Sequence, residues 1–231
     1  MTAATGVLKF YSTSIGKKVV MAVTGFMMFF FVCVHMVGNL QIYAGPDKLN
    51  AYAHFLQSTK SLLWSFRSVM FVCAALHILT AVLLTLQNWR SRPVRYTEYT
   101  ANESSFFSRN MIWTGLLLGF FVVYHLMHLT LGNLHPSFVA VEVHRNVVLG
   151  FSDGWVAAFY IISMGILGMH MGHGVFSMFQ SVGLAHPKYN KYRRYFSTGI
   201  TLLIMAGNIS MPVAIYVTNN HPLILQTIGI K

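Results

Sequence analysis

The sequence predicts an all-α integral membrane protein with five spanning helices, on three observations: composition, charge-free runs and the sidedness of the cations. Of its 231 residues, 55% are hydrophobic and only 9% are charged. No Asp, Glu, Lys or Arg occurs in residues 19–46, 68–89, 110–141, 154–187 or 195–230. Each run exceeds the ~20 residues that an α-helix needs to cross a ~30 Å hydrocarbon core. A soluble domain does not keep charge out of five such runs. In lipid every backbone polar group must be satisfied within the segment, so the runs are read as helices.

The spans are placed at about 19–43, 62–88, 110–134, 155–181 and 197–218. The connection at 89–109, with Arg90, Arg92, Pro93 and Arg95, is polar and turn-rich, and the one at 182–196 carries His186, Pro187, Lys188 and the Arg193–Arg194 pair. Between the first two spans an Ala-Gly-Pro-Asp turn leads into LNAYAHFL, expected as a short helix lying in the interface. Trp64, Trp89, Trp113 and Trp155 fall near helix ends, where an aromatic belt belongs. No soluble domain fits anywhere, so residues 1–231 are read as one membrane domain.

The net charge of +11 would suit nucleic acid, but its distribution argues against that. With the N-terminus inside, the inner segments hold Lys9, Lys17, Lys18, Arg90, Arg92, Arg95, Arg109, Lys188, Lys191, Arg193 and Arg194. The outer segments hold Lys48, Lys60, Arg67, Arg145 and Lys231. Eleven against five is the positive-inside asymmetry and predicts an N-in, C-out orientation. A basic inner face also suits anionic lipid or a docked soluble partner. The opening MTAATGVLKFYSTSIGKK carries its charges late, before an apolar run too long for a signal peptide, so the first span is expected to be retained. Cys33 and Cys73 lie inside predicted helices and read as small apolar residues.

Four histidines, His35, His77, His125 and His170, sit one in each of the first four spans. Imidazole in a bilayer interior is a functional-site hypothesis by default. One on each of four helices suggests two bis-histidine metal sites, with haem b as the occupant and the first four helices as its bundle. No CxxCH is present, so the haem would be held non-covalently. His35 lies 17 residues beyond Lys18 and His125 lies 16 beyond Arg109, which puts both roughly 25 Å from the inner boundary. His77 lies 13 residues before Arg90 and His170 lies 10 before Gln180, roughly 15–20 Å from it. The expected pairs are therefore His35 with His125, nearer outside, and His77 with His170, nearer inside. The spacings of 42 residues (His35 to His77) and 45 (His125 to His170) form a weak internal echo.

Two imidazoles hold haem iron low-spin and six-coordinate, which suits electron transfer and leaves no open position for oxygen. The flat macrocycle needs small residues beside it, and Gly25, Gly38, Gly115, Gly119, Gly165, Gly168, Gly172 and Gly174 are available. The 115/119 and 168/172 pairs equally suit helix packing. His128 and His173, three residues beyond two of the expected ligands, are candidate partners of the ligands or of the propionates. His135, His144, His186 and His221 fall in loops or at ends and are expected to be solvated.

The pieces GKKVVMAVTGF, FVCVHMVGNL, LNAYAHFL, FVVYHLMHLT and HMGHGVFSMFQ, in this order and spacing, resemble the cytochrome b subunit of succinate:quinone oxidoreductases (succinate dehydrogenase and fumarate reductase). The resemblance is to the single-chain type with five helices and two haems, and it covers nearly the whole chain. It implies a distal haem on His35 and His125 and a proximal haem on His77 and His170, with His125 and His170 matching the family pattern rather than His128 and His173. It implies electron transfer between an iron–sulfur subunit, itself served by a flavoprotein subunit, and a membrane quinone, with menaquinone expected. It places the chain in a bacterial cytoplasmic membrane with its soluble partners on the cytoplasmic side. A quinone site near the distal haem would draw on His54, Tyr52, Asn39, Gln41 and Arg67. Some members carry a glutamate two residues before the fourth-helix ligand; here that position is Gly168. With no carboxylate in the spans, transmembrane electron transfer would be charge-separating, at about 2.3 kcal/mol per charge per 100 mV. The competing expectations are the cytochrome b anchor of a hydrogenase or formate dehydrogenase, a membrane di-iron hydroxylase using HxxH pairs, and a haem-free transporter or structural anchor.

Overall fold

The computed structural model describes residues 3–91 and 106–220. Among them there is no strand, and five helices are long and apolar enough to cross a membrane: Ser14–Ala44, Lys60–Arg90, Met111–Thr130, Gly154–Ser181 and Pro187–Asn220. The chain is a helical multi-pass membrane protein. Large apolar side chains such as Phe71 and Phe120 point outward from these helices, as lipid requires, and all four tryptophans are exposed near helix ends.

The chain opens with α1 (Ala3–Ser12) and α2 (Ser14–Asn39), which tightens into a 3₁₀ turn at Leu40–Ala44. Gly45 turns the chain at φ +94°, and Pro46 starts α3 (Pro46–Ser58) at its first turn, where a missing N–H costs nothing. This is the short helix expected after the first span. Then come α4 (Lys60–Arg90), the single turn α5 (Phe106–Arg109) and α6 (Met111–His125). Immediately after His125 the helix widens into a π-turn, Leu126–Thr130, where the Leu131 N–H donates to the Leu126 carbonyl at 2.8 Å. Helices α7 (Val143–Ser152), α8 (Gly154–Ser181) and α9 (Asn190–Asn220) complete the described chain.

The first and last spans start earlier than expected, at Ser14 rather than 19 and at Asn190 rather than 197. Lys17, Lys18, Lys191, Arg193 and Arg194 sit on these extensions. Lys and Arg are good helix formers whose charged heads reach water, so charge marks the membrane boundary without ending the helix. The third span ends at Thr130 rather than 134, just before Gly132 turns the chain at φ +77°. His221 and residues 92–105 of the second connection lie outside the described residues.

The chain divides into two compact units. One comprises Met1–Phe31, Ser65–Gly115 and Met169–Ile200. It is joined by small polar contacts: the Tyr11 hydroxyl lies 3.0 Å from the fully buried Thr80 Oγ1, and buried Ser197 donates to the Gly172 carbonyl at 2.8 Å. Short hydroxyls let helices approach closely where lipid supplies no hydrophobic drive.

The other unit comprises Val32–Trp64, Leu116–Gly168 and Thr201–Lys231. Its core is apolar, built from Ile42, Leu49, Phe121, Phe151, Tyr160, Met164, Met211 and Ile215. Here α3 packs on α7, and the His144 N–H donates to Asn50 Oδ1 at 2.9 Å. Buried Asn146 clamps the segment before α7: its amide donates to the Val139 carbonyl at 2.7 Å and its Oδ1 accepts from the Val139 N–H at 3.0 Å. His135, expected in solvent, is instead only 6% exposed. Asn146 and α7, which no apolar run announces, are what cover it. His144 is half-buried rather than solvated, while His186 is exposed as expected.

A Cβ on Gly168 would collide with Met205 Sδ of α9, whereas one on Gly199 would meet nothing within 4 Å. Gly168→Ala is expected to destabilise the protein by about 1–3 kcal/mol through overpacking. Gly199→Ala is expected to be neutral or stabilising by up to about 1 kcal/mol through helix propensity. Thermal unfolding in mild detergent checks both.

Candidate functional site

His77 on α4 and His170 on α8 lie in the first unit, their ring centroids 6.4 Å apart and their planes inclined at 64°. Each ring is held from behind by a neighbouring helix. His77 Nδ1 lies 3.1 Å from the Met21 carbonyl and 3.3 Å from Thr24 Oγ1, both on α2. A carbonyl only accepts, so Nδ1 must carry the proton and donate. The bare lone pair is then on Nε2. Thr24 accepts as well, because its own proton goes to the Val20 or Met21 carbonyl, at 2.8 and 3.2 Å. His170 repeats the arrangement with α6. Its Nδ1 lies 3.1 Å from Thr114 Oγ1, whose proton is directed to the Asn110 and Met111 carbonyls at 3.0 and 3.2 Å. Thr24 and Thr114 are both buried.

Beside each threonine stands a glycine on which the ring edge rests. A Cβ on Gly25 would come within 3.2 Å of His77 Cε1, and one on Gly115 within 3.4 Å of His170 Cε1. Larger side chains there would push the ring off its threonine.

His35 on α2 and His125 at the end of α6 lie in the second unit, with centroids 5.8 Å apart and planes at 88°. His125 Nδ1 lies 3.3 Å from the Tyr160 hydroxyl of α8. The same hydroxyl lies 3.0 Å from His128 Nδ1. His128, 1% exposed, is stacked between Tyr124 and His135, at 5.5 and 5.1 Å. The pairs that meet are thus His35 with His125 and His77 with His170.

The remaining expected site residues are spread more widely. His173 is half-buried one turn beyond His170 and makes no hydrogen bond among the described residues. Asn39, Gln41, Tyr52 and His54 fall in the unit of His35 and His125, where Tyr52 packs its ring edge on Gly38 and His54 is exposed. Arg67, grouped with them from the sequence, falls in the unit of His77 and His170. Among the eight glycines, Gly25 and Gly115 face histidines, Gly38 faces Tyr52 and Gly168 faces Met205, while Gly119, Gly165 and Gly174 open onto space.

Reading the spans for histidine alone misses Thr24, Thr114 and Tyr160. A signal for two of them is present. Residues 24–35, TGFMMFFFVCVH, and 114–125, TGLLLGFFVVYH, are identical at six of twelve positions, including Thr, Gly and His. In both, threonine precedes histidine by eleven residues, about three turns, so both project from one helix face. Each of these helices contributes a histidine to one pair and holds a histidine of the other.

The residues fit haem. Metal–imidazole bonds of about 2 Å on opposite faces of one iron separate the ring centroids by about 6 Å. The observed 5.8 and 6.4 Å bracket this spacing. In three of the four rings Nδ1 has a partner on a neighbouring helix, the arrangement that directs Nε2 to a metal. Among the described residues no three His, Cys, Asp or Glu side chains gather as a metal centre of protein ligands alone. A haem needs only two, because the porphyrin supplies four nitrogens. No protein-family model, curated protein or solved structure matches the chain.

Replacing Thr114 by the isosteric Val leaves His170 Nδ1 without its acceptor, and for a haem held at this pair the expected outcome is retention weakened by roughly 10-fold or more. Thr24→Val is expected to do less, because the Met21 carbonyl still accepts from His77. Haem content per chain after purification in mild detergent separates the two.

Proposed function

We propose that this chain is the di-haem b membrane anchor of a succinate:quinone oxidoreductase, carrying electrons between an iron–sulfur subunit and a membrane quinone. The observation that carries the reading is the convergence of four imidazoles from four spanning helices into two facing pairs at haem spacing. Two haems b, bound at these pairs, would supply one-electron carriers with no open coordination position for oxygen.

The rest is done by the chain's own residues. The Met21 carbonyl, Thr24 and Thr114 accept from Nδ1 of His77 and His170 and leave the Nε2 lone pairs of those rings for a ligand, while the Tyr160 hydroxyl lies within hydrogen-bond reach of His125 Nδ1. Low-dielectric surroundings and fixed dipoles keep those rings from reorganising when charge arrives. Charge is strongly segregated between the units. Among the described residues, the unit of His77 and His170 carries ten Lys and Arg (Lys9, Lys17, Lys18, Arg67, Arg90, Arg109, Lys188, Lys191, Arg193, Arg194) and no Asp or Glu. The unit of His35 and His125 carries three cations (Lys48, Lys60, Arg145) against three acids (Asp47, Glu142, Asp153). Nine of the ten, all but Arg67, lie on segments read as inner from the sequence, which supports a cytoplasmic side for that end of the first unit, by the positive-inside rule, and a docking face there for the iron–sulfur subunit. The flavoprotein subunit joins the complex through that partner. The quinone, menaquinone by resemblance, is assigned to the second unit, where Asn39, Gln41, Tyr52 and His54 offer polar groups in the same unit as His35 and His125.

Purification in mild detergent, followed by dithionite-reduced and pyridine haemochrome spectra, tests the reading. Two protohaems per chain, low-spin and unreactive to carbon monoxide, are expected. His35→Ala or His125→Ala should each remove one, and His77→Ala or His170→Ala the other. A native preparation free of haem sinks the electron-transfer reading.

A further inference from the structure

We propose that Tyr160 is the positioning residue for His125, and that His128 serves to orient the Tyr160 hydroxyl rather than to bind a metal. The inference rests on the haem reading above. One phenol hydroxyl faces two imidazole nitrogens, His125 Nδ1 at 3.3 Å and His128 Nδ1 at 3.0 Å. It has one proton and so donates to only one of them. With His125 directing Nε2 toward His35, its Nδ1 carries a proton and donates to the phenol oxygen. The phenol proton then has a single destination, His128 Nδ1. The two histidines therefore adopt opposite tautomers: Nδ1–H on His125 and Nε2–H on His128.

The surroundings make this order one-way. His128 is buried and stacked between the Tyr124 and His135 rings. It also rests on Gly150, where a Cβ would lie 2.8 Å from His128 Cε1 and 3.0 Å from Nε2. His135 is anchored in turn: its Nδ1 accepts from the Ser137 N–H at 3.2 Å and its Nε2–H donates to the Asn146 carbonyl at 2.9 Å. The ring that would have to swing for His128 to become a ligand is thus fixed on both faces. His125, by contrast, meets His35 edge to face across the gap. The π-turn that begins right after His125 widens the backbone at this point and lets both side chains reach one hydroxyl.

The consequence is electronic. A phenol that donates to His128 is a better acceptor for the His125 N–H, because successive hydrogen bonds polarise one another. A stronger Nδ1–H bond makes the imidazole a more basic ligand, which favours ferric iron and lowers the potential of that centre. The other pair relies on threonine hydroxyls and a carbonyl, so the phenol influences one centre only.

Redox titration and electron paramagnetic resonance of the intact, purified holoprotein test this in wild type, Tyr160→Phe and His128→Asn. In Tyr160→Phe both haems are expected to remain, with the midpoint potential of one raised and its low-spin signal altered while the other is unmoved. In His128→Asn, whose amide oxygen can accept the phenol proton, both haems should remain and the same midpoint should move less. The inference is overturned if Tyr160→Phe leaves both midpoints and signals unchanged, or if His128→Asn loses a haem. His128→Asn decides alone should Tyr160→Phe fail to assemble. A wild type without haem overturns the inference together with the reading beneath it. A wild type with two haems and an indifferent Tyr160→Phe overturns the inference alone.

Discussion

An imidazole carries two ring nitrogens, and within hydrocarbon neither can turn to water. A histidine enclosed in a membrane helix therefore gains from a partner for one nitrogen on a neighbouring helix, and that partner decides what the other nitrogen can do. In this chain the Met21 carbonyl, Thr24, Thr114 and Tyr160 take the Nδ1 side of three of the four central rings. The Nε2 lone pairs are then left for a ligand. Much of the helix packing serves this pairing. It sets α2 against α4 so that Thr24 meets His77, and α6 against α8 so that Thr114 meets His170 and Tyr160 meets His125. Gly25 and Gly115 are the small residues that allow these approaches, and a buried hydroxyl with a spent proton is what makes each threonine an acceptor.

The two histidine pairs share a spacing but not a surrounding. His77 and His170 are held by hydroxyls and a carbonyl, in a unit whose described residues carry cations only. His125 packs against the rings of Phe121 and Tyr160, and it and His35 lie in a unit whose described residues are balanced in charge, with an apolar core and with α3 packed on α7. Under the reading proposed above, haems bound at two pairs with such different acceptors and electrostatic settings would differ in their affinity for an electron. The surroundings differ in fixed charge and hydrogen-bond partners, while all four central side chains are imidazoles.

Much of the architecture is written in the composition. Charge cannot be hidden in lipid, so the five charge-free runs marked the five helices, and only their ends moved. Lys17, Lys18, Arg193 and Arg194 extended helices past the expected boundaries because long cationic side chains reach water from a helix that continues. The four central histidines were legible as well, since their cost in a membrane is large and their matched distances from the basic boundaries follow from helix rise alone.

The sequence by itself pointed to which side chains could meet, because periodicity and hydrophobicity place each histidine at a depth along its own helix. It did not determine what stands behind them. Thr24, Thr114 and Tyr160 are ordinary residues of apolar helices until a neighbouring helix brings an imidazole to them, and helix rotation is set by packing that no single helix encodes. The same holds for His135 and His128. One was expected in solvent and lies buried under α7, and the other shares a helix face with His125 but is stacked between rings from its own helix and from the segment that follows. Depth is a one-dimensional property and can be read from a string of residues. The direction of a hydrogen bond between helices is three-dimensional, and only the assembled fold decides it.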